Sequence, residues 1–158
     1  MTDHALTLTR EMTATPAQVW RCMTDPELLP RWFAPDPVTV ARASIDPRPG
    51  GILHVVMDVP GMGEMDGGAG CILEAVPEER LSWTTALHPG FAPQPPAPEG
   101  AFHFTAILSL APRPQGGTLY TATLLHTDAA GRDAHAALGF DSGWGTMADQ
   151  LGRLAATL

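Results

Sequence analysis

Apolar and polar residues alternate over 6–12, with Leu6, Leu8 and Met12 on one face and Thr7, Thr9 and Glu11 on the other. That period of two belongs to a half-buried strand. The pattern then changes. Thr15-Pro16 supplies a capping residue followed by a first-turn proline, and Gln18 stands three residues after the cap, so a helix is predicted through Val19, Trp20 and Met23. Asp25-Pro26-Glu27 repeats the start signal and predicts a second short helix carrying Leu28, Leu29, Trp32 and Phe33. Strands are predicted over 38–45, 52–59, 70–76, 80–87, 102–110 and 118–126, with 60–68 as a glycine-rich hairpin connection. On 52–59 one face holds Leu53, Val55, Met57 and Val59; on 102–110 it holds Phe102, Phe104, Ala106, Leu108 and Leu110. On 118–126 the core face is assigned to Tyr120, Ala122, Leu124 and His126.

The last stretch has a helical period. Ala137, Phe140, Trp144, Met147, Leu151, Leu154 and Leu158 step by three and four, an apolar stripe on one face. Gly139 and Gly143 predict a kink or break there, because glycine weakens a helix interior. Strands joined by short turns pair antiparallel, and a sheet with one apolar face needs one cover. The pattern therefore predicts an α+β fold. About six or seven antiparallel strands curve around a long C-terminal helix, and two short helices follow the first strand.

Length and composition narrow the class. The 158 residues suit one domain spanning 1–158. Hydrophobic residues at 44% and charged residues at 16% exclude a disordered chain. The net charge of −8 argues against nucleic acid and against an anionic membrane surface as partners. All basic residues are arginine, so lysine Schiff bases and phosphate-loop lysines are excluded. No apolar run is long enough for a membrane-spanning helix, and the N-terminal residues lack the marks of a signal peptide, so a cytoplasmic location is expected. Cys22 and Cys71 form no CxxC motif and are expected as buried thiols.

The segment Ala14-Thr15-Pro16-Ala17-Gln18-Val19-Trp20, then Thr24-Asp25-Pro26-Glu27-Leu28 with Trp32, resembles the start of an AHSA1-type domain. Arg48-Pro49-Gly50-Gly51, Gly70 with Glu74, and Pro77-Glu78-Glu79-Arg80-Leu81 resemble its middle. Gly116-Gly117-Thr118, Gly139-Phe140-Asp141-Ser142-Gly143-Trp144, Gln150-Leu151 and Leu154 resemble its end. This family belongs to the START/Bet v 1-like, or SRPBCC, superfamily. The resemblance implies a helix-grip fold with a cavity between sheet and C-terminal helix. Its members include carriers of hydrophobic ligands, aromatase/cyclase-type polyketide enzymes and the Hsp90 ATPase activator. Fold is therefore better specified than function.

Three functions follow as expectations. The first is binding of a hydrophobic or aromatic small molecule, without a cofactor. Trp32, Phe33, Met57, Met65, Trp83, Phe102, Phe104, Tyr120, Phe140, Trp144 and Met147 are the expected cavity residues, with Tyr120 and His126 orienting the ligand. Phe91 sits in the proline-rich loop 88–100, where it either staples the loop down or lids the cavity. The second is a cyclase or hydrolase using His126 or Glu74 for proton transfer; Glu74 lies between Ile72 and Val76, where apolar neighbours would raise its pKa unless it pairs with an arginine on the neighbouring strand or faces solvent. The third is a protein-interaction module that binds a chaperone. No metal site is expected: HExxH is absent, and His126 and His135, nine residues apart across a turn, would still need a third ligand such as Asp128. The chain is expected as a monomer or a homodimer, since an exposed strand edge can pair between copies.

Overall fold

The computed structural model describes residues 4–158. The chain enters as strand β1 (Ala5–Met12) and turns into helix α1 (Pro16–Thr24). The cap forms as the sequence requires. Thr15 Oγ1 accepts from Gln18 N at 3.2 Å, and Gln18 Oε1 accepts from Thr15 N at 2.9 Å. α1 buries Val19, Cys22 and Met23.

The second short helix is corrected to a single 3-10 turn, Leu29–Arg31. The start signal forms one turn: Asp25 Oδ1 accepts from Glu27 N, and its carbonyl accepts from Leu28 N and Leu29 N. Pro30 supplies no N–H to extend one.

Strands β2 (Thr39–Ile45), β3 (Ile52–Val59), β4 (Gly63–Asp66), β5 (Gly70–Val76) and β6 (Arg80–Thr84) follow. The connection 60–68 is thus partly a strand, and β4 pairs with β3 through Met57–Met65 and Asp58–Glu64. The predicted strand 80–87 ends early. Leu87–His88 (β7) and Ala92–Pro93 (β8) form a small hairpin of their own inside the proline-rich loop. β9 (Phe104–Pro112) and β10 (Thr118–His126) complete the main sheet. Its order is β1-β10-β9-β6-β5-β3-β2, with β4 beside β3, and every pairing is antiparallel. On β10 Thr118, Tyr120, Ala122, Leu124 and His126 are buried, as the alternation predicts.

Two helices close the chain: α2 (Ala129–Ala137) and α3 (Phe140–Ala155). The break falls at Gly139, whose φ of 92° is a left-handed conformation that strains any residue with a side chain. The apolar stripe starts at Phe140; Ala137, on the far side of the break, is exposed. Leu151 and Ala155 are fully buried against the sheet.

Contact is tightest at the β1 edge. A Cβ on Gly152 would stand 3.3 Å from Met12 Cγ, so glycine sets that approach. Arg10 Nε reaches Asp149 Oδ1 at 3.1 Å along the same line.

Gln150 ties the segment after the 3-10 turn to α3. Its Nε2 donates to the carbonyls of Trp32 (3.0 Å) and Ala34 (2.7 Å), and its Oε1 accepts from Asp36 N (2.9 Å). Gln150→Ala leaves three backbone groups without that partner and is expected to lower unfolding stability by about 1–2 kcal/mol, read by urea titration.

Among the described residues no helix is long and apolar enough to cross a membrane. Cys22 and Cys71 are both buried and unpaired, and burial pushes the Cys22 thiol pKa up.

Candidate functional site

α3 lies close on β1 and stands away from β3 and β6. The space left is a cavity of about 510 Å³. Leu53, Val55 and Met57 of β3 form one wall, and Met65 and Asp66 of β4 extend it. Trp83 and Phe104 form the floor, while Phe140, Gly143, Trp144 and Met147 descend from α3. Counted from Phe140 these stand three, four and seven residues on, which is the helix stripe itself. Phe33 and Pro35, held by the Gln150 clamp, close one end, and His135 and Leu138 of the α2–α3 corner stand at another part of the rim. Trp83 and Trp144 face each other across 6.4 Å at an interplanar angle of 21°. The polar side chains on the lining are Asp66, Thr85 and His135.

Eight of the thirteen expected residues line this cavity: Phe33, Met57, Met65, Trp83, Phe104, Phe140, Trp144 and Met147. The other five lie elsewhere. Trp32 turns into the core, where its indole N–H donates to Cys22 O at 2.8 Å. Tyr120 is buried on β10, away from the lining, and burial raises its phenol pKa. Phe102 packs behind the wall against His126 and His135, with ring centroids 5.8 and 4.8 Å away. Phe91 is 49% exposed and its ring lies over Gly50, whose carbonyl accepts from Gly90 N at 2.8 Å. It sits in the staple position rather than over the cavity.

His126 does not reach the lining either. Its Nδ1 is 2.8 Å from the carbonyl oxygen of His4, and its Nε2 is 2.9 Å from His135 Nδ1. The second histidine is the one on the cavity wall. Both are buried, each with 8% exposure. Burial, with a smaller contribution from the adjacent His126, pushes the His135 pKa down to about 4. Among the described residues, no group of three His, Cys, Asp or Glu side chains is placed to hold a metal ion.

Glu74 pairs with an arginine of the neighbouring strand. Its carboxylate takes a bidentate contact from Arg80, at 3.0 and 3.1 Å, and a hydrogen bond from Ser82 Oγ at 3.2 Å. These bonds, above all the Arg80 guanidinium, hold its pKa below the usual carboxylate range, the reverse of the expected rise. It is half-exposed and absent from the cavity wall. Glu74→Ala is expected to leave ligand affinity unchanged and to lower the urea midpoint slightly, since exposed ion pairs contribute little.

The residues missed from sequence are informative. Leu53 and Val55 share the Met57 face, so alternation marked them as inward without marking them as lining. His135 carried one signal, its nine-residue spacing from His126, and that spacing pointed to the pair without saying which ring meets the cavity.

A curved antiparallel sheet gripped by a C-terminal helix over an apolar cavity defines a helix-grip protein of the SRPBCC type. The chain belongs to the Activator of Hsp90 ATPase homolog 1-like family, whose profile matches residues 13–156. Protein NE0264 from Nitrosomonas europaea is similar at 37% identity and a TM-score of 0.90, covering 99% of this chain and 97% of that one. A protein from Rhodobacter sphaeroides is similar at 25% identity and a TM-score of 0.82, covering 99% and 95%. Ms6760 from Mycobacterium smegmatis shares the fold at 22% identity and a TM-score of 0.74, covering 96% and 90%. Among curated proteins none matches the chain.

Proposed function

We propose that this protein binds a hydrophobic or aromatic small molecule in the cavity between its sheet and its C-terminal helix. The observation that carries this reading is the cavity itself: about 510 Å³, walled by aromatic and methionine side chains with few polar groups. That volume lies within the roughly 300–1,000 Å³ range of small-molecule sites. Methionines at 57, 65 and 147 give the walls a shape that adapts to different ligands. Turnover by Glu74 has no geometric support, because that carboxylate is spent on Arg80 outside the cavity.

The test is a titration with naphthalene, followed by tryptophan emission. Trp83 and Trp144 both touch the cavity, so saturable quenching at one equivalent is expected. Linear, unsaturable quenching equal to that of free tryptophan would overturn the reading.

A further inference from the structure

The His126–His135 pair has only three places for protons along its chain of hydrogen bonds. The His4 carbonyl can only accept, so His126 Nδ1 carries a proton. One proton is shared between His126 Nε2 and His135 Nδ1. In the uncharged pair those two places hold both protons. The third place, His135 Nε2, is then a bare lone pair. Any extra proton taken up by the pair has to end there.

Among the described residues His135 Nε2 has no hydrogen-bond partner, since the one polar contact of the ring there is the His126 bond. It is also not sealed in: among the described residues the one fully buried side-chain nitrogen or oxygen left unpartnered is His4 Nδ1. The ring stands on the cavity wall, and this open nitrogen is assigned to the cavity side. The rings of Phe102, Phe104, Phe140 and Trp144 surround His135; the three phenylalanines carry no polar atom, and the Trp144 indole N–H makes no hydrogen bond to His135. Among the described residues no carboxylate is bonded to either histidine. The carboxylate on the cavity lining is Asp66, whose pKa is lowered by hydrogen bonds from His54 and Gly68 N.

From this geometry we infer that His135 Nε2 is a dedicated hydrogen-bond acceptor in the ligand site, held in one tautomer by His126 and the His4 carbonyl. The inference rests on the cavity being a ligand site and specifies the ligand class: an uncharged aromatic or polycyclic molecule bearing one hydroxyl donor of the phenol type. A carboxylate is disfavoured twice. It would meet a lone pair at His135 and a negative charge at Asp66. The low pKa of His135 agrees with a lone pair that persists at neutral pH. His126 is a positioning residue in this scheme, since it touches His135 and not the cavity.

The experiment compares dissociation constants for naphthalene, 2-naphthol, 2-methoxynaphthalene and 2-naphthoate at pH 7 in the intact protein. The ether has the size of the phenol without its donor. 2-Naphthol is expected to bind about tenfold more tightly than the ether, the effect of one neutral hydrogen bond to an otherwise unpaired buried acceptor, and naphthoate is expected to bind weakest. In His135→Phe the phenol-to-ether ratio is expected to fall to about one. Nitrogen-15 spectra of the wild-type imidazoles provide a readout independent of that variant: the His135 Nε2 signal is expected to move with 2-naphthol and to stay with the ether. Equal affinity for phenol and ether in the wild type would overturn the inference while leaving the cavity reading intact. So would a phenol preference that survives in His135→Phe. Failure of every probe, naphthalene included, would overturn the cavity reading and this inference with it.

Discussion

Gly143→Leu is expected to weaken ligand binding about a hundredfold without weakening the fold. Gly143 lies on the inner face of α3, one turn before Met147 and beside Trp144, and its Cα forms part of the cavity lining. A Cβ built there meets no atom within 4 Å, and Gly143 lines the cavity. Leucine would place four carbons in that space. Its backbone is helical, so replacing glycine also removes a conformational cost of about 0.5–1 kcal/mol in the helix. Occupation of the site by the protein's own side chain is expected to weaken naphthalene by about a hundredfold, equivalent to about 2.7 kcal/mol. Thermal unfolding is expected to rise or stay level. A substitution that weakened binding by unfolding the protein would move both readouts down together, so the opposite signs separate the two causes.

The second expectation concerns acid. His135 titrates near 6.5 in an unfolded chain and at about 4 in the folded one. Between those values the unfolded state binds a proton that the folded state refuses, so stability rises with pH. The contribution is fully present above pH 6.5 and is lost as pH falls toward 4. Integrated over that window it amounts to about 3 kcal/mol. Among the described residues the groups that face the ring are His126 from β10 and the aromatic side chains Phe102, Phe104, Phe140 and Trp144, none of them a carboxylate that would offset the effect. Urea unfolding at pH 7, 5.5 and 4.5 reads it, with His135→Phe as the reference. The stability difference between wild type and variant is expected to shift against the wild type as pH falls. A constant difference across the three pH values would show that burial does not control this histidine.

Much of the fold could be read from local signals, because those signals are short-range. Thr15 and Gln18 sit three residues apart and cap a helix by their own chemistry. Gly139 breaks a helix because of its own backbone, and the stripe from Phe140 to Leu154 depends only on a period. The site depends on where α3 lifts away from the sheet, and no period contains that. The helix rests on β1 through Gly152 and Met12, so the inward residues of β10, Tyr120 and His126, end in solid core. Inward residues of β3 and β6 meet open space instead, which is why Met57 and Trp83 line the cavity. Neighbours in sequence divide in the same way. Trp32 bonds to Cys22 O inside the core, while Phe33, the next residue, turns to the cavity. A three-residue 3-10 turn is too short to have a face that periodicity could assign.

The claim at the centre of this account is that the cavity, and not another surface, holds a small apolar molecule. Native mass spectrometry on wild type and Gly143→Leu, each purified from the protein's own host and then denatured to release what is bound, tests it directly. The account expects an apolar molecule at one equivalent on the wild type and none on the variant. The same molecule retained equally by both proteins would contradict it.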